Sequence, residues 1–166
     1  MILVDTNVLV AAANDRDSNH RSALELLETT AESLLVPPTV IAEVCYLLHE
    51  RAGSRAEVQF LRAFELGELD LGELTLGDLR RSADLANQYA DLGLGGTDAS
   101  IVAIAERLDI VQLATFDRRH FSVVRPRHIE GLPFCLPTAR SRPTLRRSSG
   151  GPGYLPGPRP NRLASA

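Results

Sequence analysis

Ile2-Leu3-Val4-Asp5-Thr6-Asn7 decides how this chain is read. Three consecutive apolar residues that stop abruptly at an aspartate have the pattern of a fully buried strand delivering a carboxylate at its carboxyl end. Working outward, a helical stretch is expected from about Val8 to Ala13. A second follows, capped by Ser18 or Asn19, with Ala23, Leu24, Leu26 and Leu27 as its apolar face. Leu34 to Val36 reads as another strand, closed by Pro37 and Pro38. Thr39 is placed to cap a helix from Val40 to about Ala52, stopped at Gly53, and Ser54 begins one to about Leu66. Thr75 is expected to cap a helix reaching about Asp91, and Thr97 one ending near Leu108. Ile110 to Ala114 is a third strand, with Val123 and Val124, or Leu132 to Leu136, as further strand candidates. Strands separated by helical segments imply an α/β fold with a central, mostly parallel sheet flanked by helices.

The 166 residues, 44% of them hydrophobic, suffice for one ordinary core. No apolar run approaches the roughly 18 residues of a membrane-spanning helix. The first residues lack the basic leader and cleavage pattern of an export signal, so a soluble, cytoplasmic protein is expected. Cys45 and Cys135 belong to no metal spacing and read as small core residues. The net charge of -3 conceals an asymmetry. Every acidic residue lies at or before Glu130, whereas six of the 18 basic residues, all arginine, lie beyond Pro137. Two segments are therefore expected: a domain from Met1 to Pro137, and a flexible, basic, Pro/Arg/Ser/Gly-rich extension from Thr138 to Ala166 with little surface to bury.

Ligands of parallel α/β sheets bind beyond the carboxyl ends of the strands, where Asp5 and Asp117 both fall. Asp98 shares a helical stripe with Ile101, Val102 and Ala105, and Glu43 borders the buried face of its own helix. Four inward-directed carboxylates repel one another and raise each other's pKa unless a cation neutralises them. With oxygen ligands only, and no companion histidine or thiolate, Mg²⁺ is the expected ion and Mn²⁺ a substitute. Each acid also has a structural alternative. Asp98 would complement a helix dipole, Asp5 and Asp117 would shape turns, and Glu43 would pair with an arginine at a helix edge.

Val4-Asp5-Thr6-Asn7-Val8-Leu9, Ile41-Ala42-Glu43-Val44, Gly96-Thr97-Asp98-Ala99-Ser100-Ile101 and Thr115-Phe116-Asp117-Arg118-Arg119-His120-Phe121 together resemble the PIN-domain family. The likeness is strongest to the VapC-type toxins of bacterial toxin-antitoxin pairs and covers Met1 to about Pro137. It implies a PIN-like three-layer fold and a metal-dependent endoribonuclease. Asp5, Glu43, Asp98 and Asp117 would be the metal-binding catalytic acids, and Asn7 and Thr115 polar supports that orient them. It further implies a cognate VapB-type antitoxin, a structured RNA substrate such as tRNA or rRNA, and a homodimer. Arg118, Arg119 and His120 are candidates for contacts to RNA phosphates, with a solvated basic turn or an ion-pair partner as the equal alternative. His20, His49 and His128 are read as surface or structural residues.

Two competing functions remain. An aspartyl-nucleophile phosphatase would also begin with a strand-end aspartate, but haloacid-dehalogenase-like enzymes carry a second aspartate where Asn7 stands and usually use a lysine, and this chain contains no lysine. A catalytically silent PIN-like module that binds RNA or a partner is opposed by the presence of all four acids. No P-loop, Gly-x-Ser-x-Gly or dinucleotide fingerprint is found.

Deleting Thr138 to Ala166 is expected to leave folding and metal-dependent cleavage largely intact. Thermal melts check this: an insoluble truncated chain, or a sharp fall in Tm, would place the boundary elsewhere.

Overall fold

The structure, a computed structural model, describes residues 1–134. Its sheet contains β1 (Ile2–Val4), β2 (Leu34–Val36), β3 (Asp70–Leu71) and β4 (Leu113–Ala114), all parallel, in the order β3-β2-β1-β4. β1 and β2 are buried at every position, as apolar triplets covered on both faces must be. Seven α-helices flank the sheet among the described residues. They are α1 (Thr6–Ala12), α2 (His20–Thr29), α3 (Pro38–Ala52), α4 (Ser54–Glu65), α5 (Leu76–Gln88), α6 (Gly96–Leu108) and α7 (Arg118–Phe121). The chain therefore has the expected three-layer α/β architecture.

Strand order places the site. From β1 the chain steps outward to β2 and β3, then crosses back to pair β4 with the other side of β1. The helices group with these two directions of travel: α1 packs on α2 and α3, α3 on α4, and α5 on α6. A crevice opens where the order reverses, outside the carboxyl ends of β1 and β4. Asp5 follows β1 and Thr115 follows β4, so both border that crevice.

Local chemistry explains most element boundaries. Gly53, at φ 81°, ends α3 in a backbone conformation that costs a glycine little and begins α4 at once. Thr75 caps α5 through a capping box: its hydroxyl accepts from the Asp78 N–H, and the Asp78 carboxylate accepts from the Thr75 N–H. Asp78 also accepts from Arg107 Nε at 2.9 Å, tying α5 to α6.

Several expectations need correction. Neither Ser18 nor Asn19 gives α2 a side-chain cap, because the local bond runs from the Asn19 N–H to Asp17 Oδ1. α3 starts at Pro38, a residue suited to a first turn, so Thr39 lies inside it and its hydroxyl pairs with Ser100 Oγ at 2.6 Å instead. α6 starts at Gly96 with Gly95 as its cap, which places Thr97 within the first turn. α5 ends at Gln88, and a separate 3₁₀ turn covers Ala90–Leu92. Val123 and Val124 are not strand; their N–H groups bond to the His120 carbonyl as the chain leaves α7. Phe134 forms a single parallel bridge to Leu113, Leu132 and Pro133 before it are not strand, and Cys135, Leu136 and the extension from Thr138 lie outside the described residues. Cys45 is half-buried at the edge of the core rather than within it.

Candidate active site

Asp5 is 4% exposed and caps α1. Its Oδ1 accepts from the Thr6 N–H at 2.6 Å, while Oδ2 accepts from Asn7 Nδ2 and from Thr115 Oγ1, each at 2.6 Å. Thr115 Oγ1 also accepts from Asn7 Nδ2 at 3.0 Å and from the Asp117 N–H at 2.9 Å. Asn7 Oδ1 in turn accepts from the Phe116 N–H at 2.9 Å. Asn7 and Thr115 thus bond directly to the first carboxylate and lock the end of β1 to the loop after β4.

The other acids converge from three elements. Asp98 occupies the first turn of α6 above Ile101, Val102 and Ala105, all fully buried, so the apolar stripe does carry a carboxylate. Asp117 caps α7 with Oδ1, which accepts from the Arg119 N–H at 2.8 Å, and directs Oδ2 to His120. The turn-forming alternative therefore describes one oxygen of Asp117 while the other belongs to the cluster. Glu43 differs from its inward-pointing expectation: it is solvent-exposed on α3, and Thr6 Oγ1 tethers its Oε2 at 2.7 Å. All four acids line one cleft of about 360 Å³, with Thr6, Asn7, Asp17 and Arg51 among the other walls.

Of the readings open to His120, the structure shows the ion-pair partner and not a solvated basic turn. The His120 Nδ1 lies 2.9 Å from Asp98 Oδ2 and 3.0 Å from Asp117 Oδ2, inside the acidic cluster. The i, i+3 spacing from Asp117 on a short helix was the available signal, but it has force only once α7 is known to form. Arg118 is also engaged, with its guanidinium 5.4 Å above the Phe134 ring, while Arg119 remains exposed. Thr6 and Arg51 were not singled out from the sequence. The other histidines are structural or superficial: His20 and His128 bond to the carbonyls of Ala11 and Ile110, and His49 pairs with Glu57 at the surface.

Burial dominates the electrostatics. It pushes the Asp5 carboxyl up to about 6, with the Asp98 and Glu43 charges adding to the rise, although the bonds from Thr115 and Thr6 oppose it. Asp98 is raised as well, first by burial and then by Asp117 and Glu43, against the opposing effect of His120. A carboxyl at about 6 when folded and 3.8 when free binds more protons in the folded chain throughout that interval. Metal-free stability must therefore decline as pH rises through the window and level off above it. The full difference is on the order of 3 kcal/mol, about half of it between pH 5 and pH 7.5. Asp78 and Glu106 are lowered by their arginine partners and act in the opposite sense, but only as pH falls below about 4.5.

Urea unfolding of the metal-free chain is expected to give greater stability at pH 5 than at pH 7.5, with most of that difference absent in Asp5→Asn. Equal stability of the unaltered chain at the two pH values would contradict this account of Asp5.

Comparison with known proteins places this geometry in a family. The PIN domain profile matches residues 2–125. Ribonuclease VapC26 of Mycobacterium tuberculosis is 33% identical over 125 residues, spanning 75% of this chain and 93% of that protein. Among solved structures, M. tuberculosis VapC20, a sarcin-ricin loop cleaving toxin, superposes with a TM-score of 0.70 at 22% identity, covering 78% of this chain and 99% of that one. VapBC2 from Rickettsia felis, bound to a promoter DNA fragment, superposes with a TM-score of 0.52 at 20% identity, over 70% and 89% of the two chains. At those identities the two structures speak for the fold, whereas the profile and the VapC26 match speak for ancestry. The chain belongs to the PIN-domain family, among its VapC-type ribonucleases.

Proposed function

We propose that this chain is a Mg²⁺-dependent endoribonuclease, with Mn²⁺ able to substitute, that acts as the toxin of a cytoplasmic toxin-antitoxin pair. The observation that carries the reading is the convergence of Asp5, Glu43, Asp98 and Asp117, from four separate elements, on one cleft. The donor set fits a hard divalent cation. Carboxylate oxygens predominate, and two of these acids have pKa values raised by burial and mutual repulsion, a cost that a cation relieves. Asp5, Asp98 and Asp117 would hold the ion, with Glu43 on the open side.

When bound, a divalent ion makes water more acidic and stabilises charge on phosphate oxygens. The chain's own residues do the rest. Asn7, Thr115 and the Thr6 N–H fix the Asp5 carboxylate so that its oxygens need not reorganise during reaction. Thr6 holds Glu43 by Oε2. Glu43 Oε1, which receives no hydrogen bond among the described residues, is the acceptor for a proton from the attacking water. Arg51 in the cleft wall and exposed Arg119 beside Asp117 offset the repulsion between an acidic site and a polyanionic substrate.

The substrate class that the family implies is structured RNA, tRNA or rRNA, recognised through its folded shape and loops. That VapC20 cleaves the sarcin-ricin loop supports the class. A VapB-type antitoxin, as present in the R. felis VapBC2 complex, would restrain the enzyme, with a basic side chain suited to so acidic a cleft. A homodimer is the expected assembly.

Asp98→Asn keeps the side chain's shape while removing one charge. RNA cleavage at saturating Mg²⁺ is expected to fall at least about a hundredfold, with metal-free stability unchanged or higher. Expression of the unaltered chain should arrest growth, and coexpressed antitoxin should relieve the arrest. Near-normal cleavage by folded Asp98→Asn at every Mg²⁺ concentration would remove Asp98 from the site.

A further inference from the structure

His120 carries an inference that rests on the proposed binding of a divalent ion by the acids and specifies it further. The residue projects from α7 into the cluster with its side chain only 16% exposed. Its Nδ1 is shielded from solvent and sits between two carboxylate oxygens, 2.9 Å from Asp98 Oδ2 and 3.0 Å from Asp117 Oδ2, aligned squarely on neither. A protonated ring holds this place as an ion-pair partner, its N–H shared between the two oxygens. The spacing suits another arrangement. An octahedral ion with bonds of about 2.1 Å separates neighbouring ligand atoms by about 3 Å. Both N···O distances match that edge, and the three atoms all lie within 4.8 Å of one another.

We infer that His120 Nδ1 is a ligand of the site's divalent ion, together with Asp98 and Asp117, and that this nitrogen biases the site toward Mn²⁺ over Mg²⁺. Imidazole is a softer donor than carboxylate and adds more to affinity for a transition ion than for magnesium. The ring must then carry its proton on Nε2, leaving the Nδ1 lone pair for the metal. Among the described residues His20, His49 and His128 bond to groups elsewhere, so a histidine signal at the ion belongs to His120.

Mn²⁺ bound to the full chain reports directly through pulsed electron paramagnetic resonance. A ¹⁴N coupling is expected that changes to the ¹⁵N pattern when histidine is ¹⁵N-labelled and disappears in His120→Ala. Calorimetric titration should show Mn²⁺ binding weakened about tenfold or more in His120→Ala and His120→Gln, with Mg²⁺ binding changed far less. Mn²⁺ bound without nitrogen coupling, or coupling that survives in His120→Ala, would overturn the inference while leaving the acidic metal site standing. Failure of the unaltered chain to bind Mn²⁺ at millimolar concentration would overturn both. The isotope-labelling arm uses the unaltered chain and does not depend on either variant folding.

Discussion

A carboxylate taken almost wholly out of water at the end of a buried strand is the constraint around which the rest of this molecule is arranged. Asp5 follows three fully buried apolar residues, so its position is dictated by the core before any chemistry is considered. Leaving that group unpaired would cost several kcal/mol. Three donors from the Thr6 N–H, Asn7 and Thr115 surround it, and burial still raises its pKa to about 6. The group is rigid and only partly relieved. That is the condition in which a cation has most to contribute, because it removes a cost already built into the fold.

The same network makes the site a property of the topology. β1 pairs with β2 on one side and β4 on the other, so Thr115, 110 residues away in sequence, becomes the direct partner of Asp5. Thr39 and Ser100 bond near the starts of α3 and α6, joining the two helices that carry Glu43 and Asp98. Small shifts of either helix would therefore change the separation of the acids, and catalytic sites lose rate steeply when ligands move by about an ångström. The exposed Glu43 is held by a single bond from Thr6 through Oε2.

Much of this was legible in the sequence because strong local signals coincided. The triplets Ile2–Val4 and Leu34–Val36 are apolar at every position, and Asp98 interrupts a helical stripe, so strands, helix and inward-facing acid follow from periodicity alone. The four segments that resemble the PIN family added the order of the acids. What escaped lacked a local signal. β3 consists of two exposed residues, Asp70 and Leu71, whose pairing with β2 is a tertiary event. Thr39 and Thr97 are good capping types, but Pro38 and Gly96 open their helices earlier and release both threonines to other positions. His120 depends on a four-residue helix too short for periodicity to reveal, so its sequence left an RNA contact, a solvated turn and an ion pair equally open, and only the fold sets its nitrogen between Asp98 and Asp117.

The central claim is that the buried Asp5 carboxyl is held partly protonated near pH 6 until a divalent ion arrives. Calorimetry of Mg²⁺ binding at pH 6, repeated in buffers of different ionisation enthalpy, measures the protons released as the ion enters. With Asp5 at about 6, the account predicts release of roughly half a proton or more per ion at pH 6, falling toward zero at pH 8. Saturable binding with no proton release at pH 6, or no binding at all, would contradict it.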